Sequence, residues 1–393
     1  MAESGQKDSR HNVAIDYLRA FVVVLVLTHH SVIAYAPYAH FDPTHYLWGA
    51  PIVDSERWLG FDLLTLFNDT FFMALMFFLS GLFVWPSVAR KGCATFPRDR
   101  GLRLAVPFAL IVTFLMPIAY YPSFWMTGAD TGFAAFWWQC ISVKDWPSGP
   151  AWFIWLLLAF DCVAAGLYRV ASGSGAVFDR LTSRASRNPM VFFTLLVAIS
   201  ALGYLPMLLA FGSARWFTFG PFSVQASRLV LYFVYFLAGI IVGAYGVDKG
   251  VLAHGGRLER RWAIWLCAAL AFYVLVVAFE VVRSESGGRS PSSLWQTTSG
   301  LAFVLSCGAS GFGLLACFLR FANQRVRVFD ALHDSAYGMY LIHYVFVIWL
   351  QYALLWVSLP AVAKAAAVFT GTLTLSWGAV AVLRRIPAVA KII

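Results

Sequence analysis

The chain has 393 residues, of which 60% are hydrophobic, 17% aromatic and only 12% charged. A soluble globular domain is about one quarter charged, so this composition, with a mean hydropathy of +0.72, excludes one and predicts a polytopic membrane protein. The net charge of +10 would suit a nucleic-acid partner only if the basic residues were clustered for that purpose, and they are not.

Ten apolar spans, each long enough to cross about 30 Å of hydrocarbon, are predicted near 13–35, 63–86, 102–120, 151–169, 190–210, 229–246, 262–281, 297–319, 336–357 and 361–383. When the intervening loops are placed alternately, one side takes only Arg57, Lys144, Arg215, Arg228, Arg283, Arg289 and Lys364. Arg19 falls inside the first span, and all other Lys and Arg residues fall on the side of the two termini. By the positive-inside rule both termini are then cytoplasmic. The basic excess reports topology, and no nucleic-acid partner is expected. The fold class expected is all-α, a single membrane domain over residues 1–393 with a polar tail at 1–12. No small-residue cleavage site follows the first apolar run, so that span reads as a retained helix. The six cysteines form no CxxC pair, and neither a metal nor a disulfide framework is expected.

The first span, DYLRAFVVVLVLTHH (16–30), carries charge where charge is costly. An ionisable residue at the bilayer centre costs roughly 2.5–3.5 kcal/mol on insertion scales. At 100° per residue Arg19 and His30 differ by only about 20° around the helix and lie roughly 16 Å apart along it. Asp16 shares that face, while His29 lies about 80° from Arg19. The stripe would run from an Asp16–Arg19 ion pair to an imidazole deep in the membrane, able to take a hydroxyl proton or to accept an acyl group. A snorkelling arginine and a hydrogen-bonded interhelical histidine would produce the same pattern.

The loop that follows, 36–62, and a later one, 121–150, are rich in aromatic residues (AYAPYAHFDPTHYLWG; FWMTGADTGFAAFWWQC). Either could form a carbohydrate-facing surface or an interfacial aromatic belt. The second span, LLTLFNDTFFMALMFFLSGLFVW, places Asn68 and Asp69 in its outer half. Asp69 could orient an imidazole or hold a hydroxylated acceptor. Ser80 is a candidate on the donor side, although Ser80-Gly81 more simply permits close helix packing. A rhomboid-type serine would need glycine two residues earlier, and Phe78 stands there. In ARKGCATFPRDRGLRLAVPF, Arg98, Arg100 and Arg103 line the basic mouth where the third span begins. Clustered guanidinium groups suit bidentate phosphate binding, and plain topology would also put them there. Trp152 in SGPAWFIWLLLAFD, and Tyr337 and Tyr340 in SAYGMYLIHYVFVIWLQY, read as belt aromatics. His343 reads as a structural histidine. Tandem repeats and similarity between the halves are not found, which lowers the case for an inverted-repeat transporter.

Five pieces now stand in order: Arg19 and His30 separated by ten residues, FFLSG, the R-x-x-R-x-x-x-P of Arg100, Arg103 and Pro107, GPxWFI, and YGxYLIH. Together they resemble the acyltransferase-3 family of integral-membrane acyltransferases over essentially the whole chain. The resemblance implies an all-helical enzyme that uses cytoplasmic acyl-CoA, acetyl or succinyl, to acylate hydroxyls on extracytoplasmic or lipid-linked carbohydrate. It implies His30 and Arg19 as the catalytic pair and Arg100 and Arg103 as the donor-side motif. Many relatives have His-Leu before the Trp-Phe of the fourth span; Pro150-Ala151 stand there instead, so that point receives no acid–base role. An appended extracytoplasmic domain is lacking, which resembles the stand-alone branch containing the periplasmic glucan succinyltransferases, and TLFND at 65–69 leans the same way.

The expected protein is thus an O-acyltransferase of the bacterial cytoplasmic membrane. Asp16, Arg19, Asp69 and His30 would serve the chemistry, and Ser80, Arg98, Arg100 and Arg103 the donor. Its partners are acyl-CoA, a carbohydrate or glycolipid acceptor and the bilayer, and homo-oligomerisation is left open. Two rival classes remain at this point. In a proton-coupled transporter the same four intramembrane residues would form the pathway, and a sensor or scaffold would need none of them.

Overall fold

The structure, a computed structural model, describes residues 12–142, 146–171, 187–285 and 292–392. Its long helices are α1 (Val13–Ile33), α2 (Leu59–Gly81), α3 (Val84–Lys91), α4 (Thr95–Met126), α5 (Phe133–Ser142), α6 (Trp152–Ala171), α7 (Pro189–Phe211), α8 (Leu229–Tyr245), α9 (Trp262–Glu285), α10 (Ser293–Phe321), α11 (Arg327–Ala353) and α12 (Ala361–Leu383). Among the described residues nine helical segments are long and apolar enough to cross a membrane, α3 continuing the α2 segment. The protein is an all-α, multi-pass membrane protein.

The exception among the ten expected spans is α11. Its 27 residues give about 40 Å of helix, ample for a crossing, but Tyr337, Tyr340, His343, Tyr344, Gln351 and Tyr352 dilute its apolarity. Because it packs on α1, α4 and α12, those polar groups face protein and not lipid. The least apolar helix is therefore an inner one, as a solvent of hydrocarbon requires. By contrast, 17% of the apolar window of α9 is buried against 67% for α2, α8 and α10, so α9 lies on the lipid-facing rim and the other three in the middle.

Two sequence features explain the interior packing. Gly81 of α2 and Gly239 and Gly243 of α8 stand where any Cβ would collide with the carbonyl oxygens of Phe236, Phe78 and Leu82 respectively. The two backbones touch directly, which is how small residues join helices in a membrane. Packing is thus what Gly81 serves in the FFLSG stretch, while Ser80 beside it is half-buried. The second feature is α4, which carries Pro107, Pro117 and Pro122 beyond its first turn. A proline has no N–H, so the carbonyl four residues back loses its usual helical partner. The three carbonyls concerned are those of Arg103, Thr113 and Ile118. Each accepts from another element: the Tyr337 hydroxyl, the Trp137 indole at 2.7 Å and the Trp349 indole at 2.9 Å. Widened π turns at Gly101–Ala105 and Ile111–Leu115 precede the first two prolines. Side-chain donors and local π geometry are the means by which a membrane helix tolerates proline.

Two regions expected as outward loops fold back into the bundle. The α5 helix returns along α4, with Trp137 stacked on Phe114 and Phe136 tilted against Phe124. The chain then brings Pro150 within reach of the Tyr340 hydroxyl on α11. Residues 216–225, between the spans expected at 190–210 and 229–246, form a β-hairpin of β1 (Trp216–Phe219) and β2 (Phe222–Gln225). Gly220, at φ +56°, starts its two-residue turn as a primed hairpin turn requires. Phe222 stacks on Phe108 of α4, and the Trp155 indole donates to the Ser223 carbonyl at 3.0 Å.

Loop 34–58, expected to face outward, is tied down. Arg57 donates to the carbonyls of Pro37, Ala39 and Asp54. Asp42 accepts from the Thr44 hydroxyl and amide, and these bonds hold its carboxyl down to about 2. Beneath them Lys364 of α12 meets Asp54 at 2.7 Å, both fully buried. Sequence alone counted Lys364 and Arg228 as outer loop charges; the structure corrects both to buried partners in ion pairs. The opposite end of the bundle holds Asn12 on the Val247 carbonyl, Tyr17 on Asp330 and Arg384 on the Asp334 carbonyl. The start of α1 and the end of α12 thus share one end, the basic one. The N-terminal tail to residue 11 and the basic loop 172–186 lie outside the described residues.

Removing one partner of a buried ion pair costs about 3–5 kcal/mol, because the other charge is left in a medium that cannot solvate it. Lys364→Met should therefore lower the thermal midpoint sharply, and the double change with Asp54→Leu should recover most of it. Thermal unfolding in detergent of both variants would check this; equal midpoints for wild type and Lys364→Met would show that the pair does not hold the loop.

Candidate active site

The site is built around one short stretch of α11. In YGMYLIH the polar residues 337, 340 and 343 recur every three positions, so each points about 60° further round the helix than the last. They consequently meet three different neighbours. The Tyr337 hydroxyl donates to the Arg103 carbonyl on α4, the Tyr340 hydroxyl to the Pro150 carbonyl ahead of α6, and the His343 Nε2 lies 3.2 Å from the His30 Nδ1 on α1. Tyr344, one residue on, returns towards α4, where its hydroxyl meets that of Tyr120 at 3.5 Å. Four of the five sequence pieces are joined by this one helix.

His30 and His343 lie at the same depth, since α1 and α11 both start at the basic end and the two residues are 17 and 16 positions along. The rings have centroids 5.2 Å apart. His30 Nδ1 is also 3.0 Å from the Val26 carbonyl, and His343 Nδ1 is 2.7 Å from the Tyr340 carbonyl. The Gln351 amide donates to the backbone carbonyl of His30 at 2.9 Å, and the Tyr344 ring stands edge-on to His30. His343 is fully buried while His30 is half-buried, so His30 is the ring a substrate can reach.

His29 turns the other way, as the helical spacing predicts. Its ring rests on Phe72 of α2, and it lies within the field of Asp69 and Arg228. Asp69 is held by Arg228: one guanidinium nitrogen donates to its carboxylate at 2.7 Å and to its carbonyl at 3.1 Å, and the second donates to the other oxygen. Arg228 is buried over the Phe303 ring at 4.9 Å, whereas Asp69 remains half-exposed. The bidentate fork fixes the carboxylate and leaves one side of it accessible. Asp69, a candidate either to orient an imidazole or to hold a hydroxylated acceptor, thus lies on the His29 side, paired with Arg228.

At the basic end, Asp16 faces α11 as His30 does. The His333 ring donates from Nδ1 to the Asp16 carbonyl at 3.0 Å, and its Nε2 lies 3.9 Å from the carboxylate. The Arg19 guanidinium lies over the Phe83 ring at 5.4 Å, exposed, and close enough to Asp16 and Arg100 to feel both charges. Arg100 is engaged by Asp161 of α6, whose carboxylate is fully buried, at 3.1 Å. Arg98 and Arg103 present exposed side chains. Arg19, Arg98, Arg100 and Arg103 thus belong to the same end, with Arg98 and Arg103 the freer cations.

Sequence reasoning did not single out Asp161 or Arg228, and it did not place His343 against His30. Asp161 is the one acidic residue in the fourth span, and Arg228 opens the sixth. An ionisable residue within or at the edge of a span is a functional candidate with an implied partner. That signal was present for both, but it did not identify which carboxylate answers which arginine.

An accessible imidazole backed by a second one thus lies between loop 34–58 and the cationic end of the bundle, an arrangement suited to group transfer. The chain belongs to the acyltransferase-3 family, whose acyltransferase-domain model matches residues 12–381. It is an acyltransferase that transfers groups other than amino-acyl groups, and the transporter and scaffold readings fall away. Neither a curated protein nor a solved structure matches it.

Arg100→Ala should leave the Asp161 carboxylate buried and unpaired, at a cost of about 3–5 kcal/mol. Its activity loss would then mix misfolding with any loss of donor binding. Arg100→Leu combined with Asp161→Leu should recover most of the thermal midpoint lost in Arg100→Ala. A double variant no more stable than the single one would show that the pair is not a coupled unit.

Proposed function

We propose that the protein carries acyl groups, acetyl or succinyl, from cytoplasmic acyl-CoA to a hydroxyl of an extracytoplasmic or lipid-linked carbohydrate, in a bacterial cytoplasmic membrane. The observation that carries this reading is the accessible His30 ring, clamped by backbone and side-chain hydrogen bonds, on the helix whose other end brings Arg19 to the cationic mouth. Acyl-CoA is a polyanion with a long thioester arm. Arg98, Arg103 and Arg19 suit its phosphates, and the arm would extend between α1, α4 and α11 towards His30. The positive-inside rule makes the mouth cytoplasmic, so the acceptor approaches from the side of loop 34–58. Asp69 and the aromatic residues of that loop offer the carboxylate and ring faces on which a sugar can dock.

In the step itself, His30 removes the proton of the acceptor hydroxyl as its oxygen attacks the thioester carbonyl. The tetrahedral intermediate collapses with cleavage of the carbon–sulfur bond. The proton then passes from the His30 imidazolium to the departing thiolate, giving the ester and free coenzyme A. No external proton is gained or lost, so the reaction needs no coupling across the membrane. Ser80, half-buried at the inner end of α2, lies on the donor side of this path, and Asp16 closes the same end through His333.

Protein reconstituted in nanodiscs, given radiolabelled acetyl-CoA or succinyl-CoA and an oligoglucan, tests the reading. Positioned base catalysis is worth roughly 10²–10⁴-fold, so His30→Ala should lose at least that much acyl transfer while keeping its thermal midpoint. His29→Ala should retain most activity. An active His30→Ala beside an inactive His29→Ala would overturn the assignment. Arg103→Ala should raise the donor KM roughly tenfold or more, since a charged hydrogen bond contributes about 1.5–3 kcal/mol. An unchanged donor KM would reduce Arg103 to a topology signal. For orientation, Ser55→Cys should label with an impermeant thiol reagent in intact cells; labelling only after lysis would reverse the donor and acceptor sides.

A further inference from the structure

We propose that His343 is a positioning residue that holds His30 in the one tautomer able to act as a base towards the acceptor. A carbonyl oxygen can only accept a hydrogen bond. The Tyr340 carbonyl, 2.7 Å from His343 Nδ1, therefore fixes the proton of His343 on that nitrogen and leaves a lone pair on its Nε2. The Val26 carbonyl, 3.0 Å from His30 Nδ1, fixes the proton of His30 in the same way. His343 Nε2, an acceptor, then stands 3.2 Å from His30 Nδ1–H, a donor. The two rings fit together with one proton each. A single nitrogen of the pair is left with an uncommitted lone pair, the Nε2 of His30.

Burial assigns the roles. His343 is fully buried and cannot touch a substrate, whereas His30 is accessible. When His30 Nε2 takes the hydroxyl proton, the cation's Nδ1–H remains shared between the Val26 carbonyl and His343 Nε2, so the charge forms against two preset acceptors. A partner that fixes tautomer and ring orientation is typical of functional histidines. His343 stays neutral throughout, and the proton that reaches the thiolate is the one taken from the hydroxyl. The inference rests on His30 being the base.

His343→Phe keeps a ring of similar size but removes the acceptor. Its kcat should fall roughly tenfold to a hundredfold, the range lost when an orienting partner is removed, with donor KM and thermal midpoint unchanged. His343→Gln returns an acceptor oxygen at the reach of Nε2 and should recover kcat to within severalfold of wild type. A wild-type kcat in His343→Phe overturns the proposal. So does an equal loss in both variants that tracks a fallen thermal midpoint, because that marks a structural residue. A second readout does not depend on folding of any variant. Solid-state NMR of wild-type protein with ¹⁵N-histidine should show His30 protonated on Nδ1 and bare on Nε2, and the opposite tautomer overturns the proposal. If His30→Ala itself remains active, the base reading fails, and the NMR result still reports on the pairing separately.

Discussion

The structure depends on a polar face that a membrane helix ordinarily cannot carry. Tyr337, Tyr340 and His343 lie within two turns of α11, and each would be costly if turned towards lipid. Each is instead spent on a group that needs it: a carbonyl released by Pro107, a carbonyl of the re-entrant segment at Pro150, and the imidazole of His30. The spacing of three forces the three contacts onto three different elements. Shifting α11 by one residue against its neighbours would break all of them together. The helix therefore sets the register of α1 and α4 and the entry to α6, and the basic end and the His30–His343 pair inherit their separation from it.

Proline has a constructive role in this arrangement. In α4 the prolines at 107, 117 and 122 expose carbonyls that Tyr337, Trp137 and Trp349 occupy. The R-x-x-R-x-x-x-P motif thus has two parts with different duties. The side chain of its first arginine is committed to Asp161. The second arginine contributes its backbone carbonyl to Tyr337, which leaves its guanidinium free at the surface. A motif that suggests two equivalent phosphate ligands is, in three dimensions, one structural ion pair and one available cation.

How much of this could be read in the sequence follows from which kind of information each feature uses. The multi-pass helical architecture, the common end of both termini and the face shared by Asp16 and His30 depend on composition and on helical period, both local. They were legible, as was the divergence of His29 from His30. The partner of each buried charge is non-local: Asp54 and Lys364 are 310 residues apart and Asp69 and Arg228 are 159 apart. Periodicity carries no signal about such pairs. Loop counting then misassigned Arg228 and Lys364, because a charge at a span edge looks the same whether it faces water or a carboxylate. The hairpin at 216–225 was missed for a related reason. WFTFGPFSVQ has the turn and the β-prone residues of a hairpin, but its aromatic composition matches an interfacial loop equally well.

The two adjacent histidines show how the fold divides labour along one helix. A 100° step separates their faces, and each face has its own surroundings. On one side the groups that meet His30, among the described residues, are uncharged: His343, Tyr344 and the Val26 carbonyl, with the Gln351 amide at its own carbonyl. On the other, His29 lies in the field of the Asp69–Arg228 pair. A base that must gain and lose a proton within one turnover is best served by neutral partners, because a fixed carboxylate would retain the proton and a fixed cation would repel it. The Asp69–Arg228 pair lies on the other face of α1, beside His29, where on the proposed function it can hold an acceptor without disturbing that balance. On the proposed function, separation of the neutral base from the charged pair is thus a consequence of one residue's rotation around α1.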